Sequence, residues 1–551
     1  MRRKNLMKIL VLFMLTALVL AACANKDEGN EVELEETKEE EEIFNPEPNP
    51  DAKQVSSYDD ERIKKQEAIE QEIEEAYENG SYTFDKPFVR LNPYGVSPLT
   101  ALIKFETMEP TEIEVVVGNE EGQATISKKW EGFETNHNIP VLGLYPDADN
   151  IVVLNAYDED GNKKSTEVSI QTEPVPDEIP KTELVESQPE QMEDGLTFIV
   201  PGKNVLYAVD ENADIRWYAD MPYRLIFNRL DNGNILVNTK TEDEEKYTDL
   251  LEMDMLGKVE NAYKIENDNY EEGNLLHHDV IELPSGDLLA TVHDPDTKYV
   301  EDYMVEIDRR SGKTVQEIDL KDVFPEAAYE DYSGEYADRH DWFHQNSIWF
   351  DETDNTIVIS GRHQDAVMKL SYPDAKIKWI LAAHEGWSKE HEEYLLEPED
   401  DNVKFPAAQH AAKVLPDMDN NEDTSDVIIF DNNHVVTRGD KDIGDTYSRM
   451  VQYRINEKDM TVEEVWSYGE VRGESFYSDI VGNAQYLPDT GNRLITSGHI
   501  APIEDAKERS SIIVETNDKT DADVVYEIKI SGFEKDDGKL AYRALRLPLY
   551  P

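Results

Sequence analysis

The chain has 551 residues, and its 120 Asp and Glu residues against 54 Lys and Arg residues give a formal net charge of −66. This length exceeds that of one ordinary hydrophobic core and predicts two or more domains. The charge excludes a nucleic-acid binder that works by neutralising phosphates, but it does not exclude an anionic substrate, because a local cluster of buried donors can hold one.

Residues 1–23 have the pattern of a lipoprotein signal peptide. A basic start, MRRKNLMK, precedes an apolar run from Leu10 to Leu20 that is short for a membrane span. The tetrad LAAC then resembles a bacterial lipobox, in which Cys23 is lipidated and becomes the mature N-terminus; a plain secretory signal is the alternative. We therefore expect an exported protein on the outer face of the cell membrane, in contact with the membrane only through this anchor.

Residues 24–56 are predicted to form an acidic, disordered stalk. The stretch KDEGNEVELEETKEEEEIFNPEPNPD is a run of acid followed by alternating proline, and it cannot bury apolar area. Such a stalk would hold the body off the membrane and suits display on a Gram-positive cell surface. Because Cys23 is the chain's single cysteine, the exported part can contain no disulfide between two of its own cysteines.

Residues 57–80 are predicted to form one helix. Ser57 and Asp60 resemble a capping box, and Ile69 and Ile73 belong to a narrow apolar stripe. We expect this stripe to pack on a neighbouring element, without a chemical role.

Residues 81–180 change to a period of two, which indicates β-strands. ALIKFET, TEIEVVVGN, NIVVLNAYDEDGN and STEVSIQT are separated by turns rich in Asp, Asn and Gly, and EPVPDEIP ends the region as a linker. This pattern predicts a small N-terminal β-sandwich domain.

Residues 181–551 contain a loose repeat of strand pairs joined by Pro/Asp-x-Gly/Asn turns. With the first unit in front, FIVPGKNVLYAVDENADIRWY, the repeat predicts six units of four strands and hence a six-bladed β-propeller. The final YRALRLPLYP is predicted to complete the first blade. The fold class is therefore all-β. The five turn segments are RLDNGNILVN (229–238), ELPSGDLLAT (282–291), FDETDNTIVIS (350–360), VLPDMDNNEDTSDVIIFD (414–431) and YLPDTGNRLITS (486–497).

Polar side chains recur just before these turns, on the strand that lines the channel of a propeller. Separate blades are thus expected to aim imidazoles and amides at one axial region, and Arg362 ends the partner strand of one hairpin. For any single residue, a hydrogen bond to the neighbouring blade is the competing interpretation. The residues in register are His277 or His278, His344, Asn346, His410 and Asn483.

The predicted axial cluster favours transfer of a charged tetrahedral group, because it combines three imidazoles, amides and one guanidinium. The sequence shows no Ser elbow and no Gly-rich phosphate loop that would favour another chemistry. A sulfuryl group, like a phosphoryl group, passes through a loose transition state with charge on its peripheral oxygens. The guanidinium fork of Arg362 suits those oxygens, and Asn346 with a histidine adds donors. A neutral imidazole can attack sulfur and split one difficult transfer into two.

The stretches NPYGVSPLTALI, HHDVIELPSGD, DWFHQNSIWFD, ISGRHQDAVMKL and QHAAKVLPD resemble the bacterial arylsulfate sulfotransferases that work without phosphoadenosine phosphosulfate. The resemblance runs from about residue 85 to the C-terminus and implies a ping-pong transfer between phenols and their sulfate esters. His410 would be the nucleophile and transiently sulfated. Arg362, His344 and Asn346 would bind the sulfuryl oxygens.

The resemblance assigns the remaining residues less directly. His278 would be the further family histidine and a proton carrier for phenol, with His277 as the alternative match. Tyr447 and Arg449 are candidates for the funnel that admits substrate, and a structural role is equally open for them. Better-known Gram-negative members carry a disulfide near the site, so in this chain the loop between Trp379 and Gln409 must be held by packing.

The resemblance implies a small phenolic sulfate donor, a phenol acceptor and no dissociable cofactor, and a homodimer is one expected state. The net charge speaks against a nucleic-acid partner, and no residue is assigned as a metal ligand. Two other functions stay open from the residues alone. Clustered histidines could bind zinc and give a metal-dependent hydrolase, although the charge of Arg362 opposes a dication. A propeller that only binds a ligand is the third alternative.

Overall fold

The computed structural model describes residues 44–118, 124–202, 205–270, 273–439, 441, 444, 446–500, 508–519, 522–534 and 540–551. The predicted signal peptide, Cys23 and the stalk as far as residue 43 lie outside these residues. Among the described helices, none is both long and apolar enough to cross a membrane.

The segment before the helix packs on the propeller, which corrects the prediction of a disordered stalk through residue 56. Asn49 donates its backbone N–H to the carbonyl of Val315 at 2.7 Å, and Val55 is fully buried. Strand β1 (Ser56–Tyr58) pairs antiparallel with a strand of the propeller. Acidic composition misleads here because a few apolar side chains and a free sheet edge are enough to hold an extended segment.

Helix α1 (Asp60–Glu78) begins three residues later than predicted. Its cap is Asp59, whose Oδ1 accepts a hydrogen bond from the backbone N–H of Arg62 at 3.1 Å, whereas Ser57 belongs to strand β1. Ile73 is buried in a cluster that contains residues of both the sandwich and the propeller. The helix therefore joins the two domains through its apolar stripe.

The N-terminal domain is one sheet bent into a small sandwich. β3 pairs with β2 and β4 through residues 100–106, and with β4 and β5 through residues 111–118. Ile103 from the first part and Val115 from the second share a core. Its strands are β2 (Phe88–Leu91), β3 (Thr100–Gly118), β4 (Ala124–Leu142), β5 (Asp149–Tyr157) and β6 (Lys163–Gln171).

The remaining strands build the propeller. In chain order they are β7 (Lys181–Ser187), β8 (Leu196–Pro201), β9 (Leu206–Val209), β10 (Ile215–Ala219), β11 (Phe227–Arg229), β12 (Ile235–Thr239), β13 (Asp249–Met253), β14 (Val259–Ile265), β15 (Leu276–Glu282), β16 (Leu288–Val292), β17 (Tyr303–Ile307), β18 (Thr314–Asp319), β19 (Gln345–Asp351), β20 (Thr356–Gly361), β21 (Ala366–Ser371), β22 (Ile377–Leu381), β23 (Glu397–Pro398), β24 (His410–Val414), β25 (Thr424–Asp431), β26 (Arg449–Asn456), β27 (Thr461–Tyr468), β28 (Asn483–Tyr486), β29 (Arg493–Ile500), β30 (Glu508–Thr516), β31 (Val524–Glu534) and β32 (Ala541–Leu547). Two short helices, α2 (Leu320–Val323) and α3 (Ala327–Glu330), and 3-10 turns at Pro189–Gln191, Ala337–Arg339, Arg362–Gln364, Glu392–Tyr394 and Glu470–Phe476 lie between strands.

These strands form six separate antiparallel sheets, which confirms the six-bladed propeller. Blade 1 contains β8–β10 and β32, blade 2 contains β11–β14 with β1, and blade 3 contains β15–β18. Blade 4 contains β19–β22, blade 5 contains β24–β27 with β23, and blade 6 contains β28–β31 with β7. The inner strands β11, β15, β19, β24, β28 and β32 contact one another in ring order and line the axis.

Both ends of the propeller segment close the ring. As predicted, β32 completes the first blade, with Leu547 paired to Leu196 in the β32–β8 ladder. In addition, β7 completes the last blade by pairing with β31. Closure by hydrogen bonds from both ends leaves the ring without an unpaired seam.

Candidate active site

Three neighbouring inner strands reach one end of the channel with an irregular backbone. The φ angle is +29° at His278, +55° at His344 and +57° at Ala411, and strand pairing shifts register close to each point. A left-handed backbone conformation is uncommon for residues other than glycine. In a regular strand successive side chains point to opposite faces, but a bulge can bring two consecutive side chains to the same face. His277 and His278, consecutive in one strand, face each other for this reason.

His344 is held between two carboxylates. Its Nδ1 lies 2.6 Å from Oε2 of Glu301 and 2.7 Å from Oδ2 of Asp341. Burial opposes a charge on this ring, but the two carboxylates outweigh it and raise the pKa of His344 to about 9. Burial alone would raise the pKa of Glu301 and of Asp341, yet the charge of His344 lowers both. His344 is therefore an imidazolium at neutral pH.

His277 and His278 form a neutral pair beside this cation. Their Nδ1 atoms are 3.0 Å apart, and the ring centroids of His278 and His344 are 4.7 Å apart. Burial holds the pKa of His278 well below its ordinary value and lowers that of His277 to about 3. His293, which the register did not include, stacks on His277 with centroids 4.8 Å apart.

His410 is buried, with its Nδ1 2.7 Å from Oδ1 of Asn432. Burial, together with the charge of Arg362, holds the pKa of His410 well below its ordinary value. The amide nitrogen of Asn432 donates to the carbonyls of Ser478 and Val481 at 2.8 and 2.9 Å. The oxygen of this amide must therefore face His410, so Nδ1 of His410 is the donor and Nε2 carries the lone pair.

Arg362 begins a 3-10 turn at the end of the blade 4 hairpin and is buried. Its backbone N–H donates to the carbonyl of His344 at 3.1 Å, and its Nη2 donates to the carbonyl of Asp479 at 3.3 Å. Tyr336 lies under the guanidinium at 5.3 Å and stacks on His363 with ring centroids 4.1 Å apart. The guanidinium is thus held by the carbonyl of Asp479 and the ring of Tyr336, and its charge acts on His410.

Asn346 uses its amide nitrogen to join two blades, as the competing interpretation of the inner-strand polar residues expected. It donates to the carbonyl of Gln409 in blade 5 at 2.8 Å. Asn483 does the same toward Ala544 at 2.8 Å. An amide nitrogen has two N–H groups and the bond to Gln409 uses one of them, so the predicted contact of Asn346 with a sulfuryl oxygen stays a prediction.

Arg449 does not line a funnel, which corrects that prediction. Its side chain is buried inside blade 5, with Nε 3.1 Å from Asp431 and Nη1 2.8 Å from Glu464. Tyr447 is half-buried, and its hydroxyl accepts a hydrogen bond from Lys404 at 2.8 Å. The polar atoms of both residues are engaged within their own blade.

Several residues of the site gave no signal in the sequence. Glu301 lies before β17 and Asn432 after β25, so neither falls in the repeated position of an inner strand. Tyr542 comes from the C-terminal strand, and its ring centroid is 6.0 Å from that of His278 and 6.5 Å from that of His410. Asp341 is the exception, since it stands inside the DWFHQNS motif.

The loop that precedes His410 is held by a buried carboxylate as well as by packing. Asp365 accepts hydrogen bonds from the backbone N–H groups of Ala408, Thr437 and Arg438 at 2.9, 2.6 and 2.8 Å. The guanidinium carbon of Arg438 stands 3.8 Å from the centroid of the Trp387 ring. These contacts hold the loop without a disulfide.

A cavity of about 530 Å³ opens beside this loop. Phe324, Tyr332, Trp387 and His391 supply aromatic walls, and Gln364 stands two residues from Arg362. Its size is typical of a small-molecule pocket, and its lining is mixed, with Asp331, Glu385 and Arg438 among the polar side chains.

Each of the two domains matches a known protein family. A family model described as arylsulfotransferase (ASST) matches residues 181–543, and one described as arylsulfotransferase Ig-like domain matches residues 88–173. The first covers the propeller and the second the sandwich.

Curated relatives include an arylsulfate sulfotransferase AssT of Lelliottia amnigena, 25% identical over 83% of this chain and 91% of its own length. That of Escherichia coli O6:H1 is 25% identical over 75% of this chain and 85% of its own length. A putative 6-phosphogluconolactonase from Bacteroides fragilis covers 80% of this chain and 99% of its own, at 10% identity and a TM-score of 0.32. That likeness is too slight to inform the activity.

Proposed function

The chain belongs to the arylsulfotransferase family, and we propose that it moves a sulfuryl group from a phenolic sulfate ester to a phenol through a covalent intermediate on His410. The ester itself carries the sulfuryl group, so phosphoadenosine phosphosulfate is not needed. Donor and acceptor occupy the same site in turn, which makes the cycle ping-pong.

The tautomer of His410 is the observation that carries this proposal. Oδ1 of Asn432 accepts a hydrogen bond from Nδ1–H of His410, because the amide nitrogen of Asn432 is used by two carbonyls. Nε2 therefore has a free lone pair, and burial keeps the ring uncharged. A neutral imidazole with a fixed tautomer is a nucleophile that needs no base to activate it.

Two cations flank this nucleophile and suit the sulfuryl oxygens. Arg362 offers a planar fork, and His344 is kept charged by Glu301 and Asp341 through Nδ1, which leaves its Nε2–H for the substrate. Donors fixed before the reaction stabilise charge as it develops without reorganising. Because both cations are buried, their attraction for the oxygens is weakly screened.

In the first half-reaction the bond from Nε2 of His410 to sulfur forms as the bond from sulfur to the aryl oxygen breaks. The departing phenolate takes a proton from solvent or from a neighbouring imidazole. In the second half-reaction a phenol loses its proton as its oxygen attacks sulfur, and Nε2 of His410 leaves with its lone pair. His278 is the proton carrier, since it is neutral and its ring lies 4.7 Å from the imidazolium of His344.

The cavity beside Trp387 and Phe324 is the place for the aromatic ring of the substrate. The aromatic side chains stabilise a phenol through ring contacts, and Gln364 and Arg438 are among the polar groups of the lining.

We also propose that the protein works outside the cell, tied to the membrane by a lipid on Cys23. The lipobox pattern and the acidic segment after it support this location. Metabolic labelling with a radioactive fatty acid should mark the wild-type protein and leave a Cys23→Ala variant unlabelled.

The transfer is tested by release of nitrophenolate from p-nitrophenyl sulfate, with and without phenol. We expect phenol to accelerate release and His410→Asn to abolish it, while His384→Asn, at an exposed histidine, keeps the wild-type rate. Mass spectrometry of the wild-type protein treated with donor alone should show one added sulfuryl group on His410. Release that ignores phenol would indicate hydrolysis and overturn the proposal.

A further inference from the structure

Three atoms beside the reaction centre are arranged like the ligands of a metal ion. Nδ1 of His277 and Nδ1 of His278 are 3.0 Å apart, and Nδ1 of His278 lies 3.6 Å from Oε2 of Glu301. One ligand atom from each of the three residues lies within 4.8 Å of the other two. Ligand atoms of a tetrahedral zinc site with metal–nitrogen bonds of about 2.0–2.1 Å are roughly 3.3 Å apart.

The backbone is distorted at two of these three residues. The φ angle is +29° at His278 and +59° at Glu301, in a region that residues with a Cβ rarely adopt. Such strain persists where the surrounding structure enforces it, and it concentrates at binding sites and active sites. Here it directs two consecutive imidazoles and a carboxylate to one point.

The present contacts of the trio are easily exchanged for a metal ion. The two imidazoles share one hydrogen bond between their Nδ1 atoms, which a cation replaces with two bonds. Glu301 can leave Nδ1 of His344 without leaving that atom unpaired, because Asp341 stays 2.7 Å from it. Two imidazoles and one carboxylate suit zinc and its neighbours among the transition metals, and do not suit magnesium or calcium.

A second trio, Asp341, His344 and His363, has similar spacing but is already committed. Nδ1 of His363 lies 2.7 Å from the backbone carbonyl of Asp341, and a metal ion on Nδ1 would break that hydrogen bond. Nδ1 of His344 is the donor to its carboxylates. The first trio is therefore the better site.

We propose that His277, His278 and Glu301 bind one divalent transition-metal ion of the zinc type, and that its binding stops sulfuryl transfer. The second part rests on the proposed function. A metal ion on His278 occupies the proton carrier, and one on Glu301 removes a carboxylate from His344. Three protein ligands leave a fourth position for water.

Binding is tested first with Co²⁺ on the full-length protein after treatment with a chelator. One equivalent of Co²⁺ should produce the intense visible absorption of four-coordinate cobalt, and Zn²⁺ should remove it by competition. His277→Gln should weaken Co²⁺ binding by more than about tenfold, whereas His363→Gln and the exposed-site control His384→Gln should keep it. If His277→Gln does not fold, as judged by circular dichroism, Glu301→Gln takes its place.

The assay with p-nitrophenyl sulfate and phenol then tests inhibition. Zn²⁺ should inhibit the wild-type protein, and half-inhibition of His277→Gln, relative to its own metal-free rate, should need at least about tenfold more Zn²⁺. The proposed site is overturned if the wild-type protein gives no cobalt spectrum. It is also overturned if the cobalt spectrum is lost in His363→Gln and kept in His277→Gln. If the metal ion binds without inhibiting transfer, only the proposal of inhibition is overturned. If the metal-free protein transfers no sulfuryl group, the proposed function is contradicted, and the cobalt result on the metal site still stands.

Discussion

Two corners of the active site contain buried histidines in opposite states. At the blade 5 corner, His410 faces the neutral amide of Asn432, and burial holds its pKa well below the ordinary value. At the corner between blades 3 and 4, His344 faces two carboxylates that raise its pKa to about 9. The same side chain is held neutral or charged according to its Nδ1 partner.

After loss of His410 itself, the largest effect is expected from Arg362→Lys, which keeps the charge beside His410 but removes the planar fork. If the fork meets the sulfuryl oxygens mainly in the transition state, kcat should fall by about 10²–10³-fold with little change in KM. Steady-state kinetics with p-nitrophenyl sulfate measures both constants, and Arg310→Lys, at an exposed turn, is the matched control. A change in KM alone would contradict this role.

Asn432→Ala removes the neutral hydrogen-bond partner of His410 at the blade 5 corner. Without the amide oxygen, Nδ1 of His410 has no fixed acceptor, and kcat should fall by about 10- to 100-fold, as for other residues that orient a reactive imidazole. The ¹⁵N spectrum of histidine-labelled protein should show loss of the single Nδ1–H tautomer of His410. A slower enzyme with an unchanged tautomer would mean that Asn432 acts only through the backbone of Ser478 and Val481.

Asp341→Asn removes one of the two carboxylates that face His344 and leaves the other, Glu301, in place. His344 then has one carboxylate partner, its charged form is less stable, and kcat should fall by about tenfold because one donor to the sulfuryl oxygens is weaker. The ¹⁵N shifts of His344 at neutral pH report whether the ring is still charged. A fully charged His344 together with lost activity would assign Asp341 a different role.

The smallest effect concerns the approach of substrate rather than either corner. An anionic aryl sulfate is repelled by a protein with a net charge of −66, so added salt should raise kcat/KM by a few fold until screening is complete. Stopped-flow capture of donor at increasing ionic strength measures this. Slower capture at higher salt would mean that the cations of the pocket dominate the field that the substrate meets.

The architecture of the site could be predicted because it follows from a local repeat. The five turn segments and the unit in front of them marked six blades, and the position before each turn marked the inner strands at which His278, His344 and His410 stand. Arg362 followed in the same way from the end of a hairpin. Strand period and turn chemistry are local properties, so they can be read without knowledge of distant contacts.

The failed predictions concern side chains whose partners are distant in sequence. Arg449 was a funnel candidate, yet its ion pairs with Asp431 and Glu464 fix it inside its blade. The segment from residue 44 to residue 56 reads as a stalk, yet it packs on the edges of two blades. Composition indicated an exposed stalk and the resemblance suggested a funnel residue, and in both cases a contact that only the folded chain creates decided burial.

The amino-acid sequence by itself predicted the all-β class, the six blades and the closing strand, which depend on period and turns. The family resemblance of its motifs made His278, His344, Arg362 and His410 the candidates for the reaction. Only the tertiary structure decided which histidine is charged and which is neutral. Glu301 and Asn432 reach their histidines through ring closure and bulged strands, and neither their distance nor the burial that sets each pKa is encoded in local spacing.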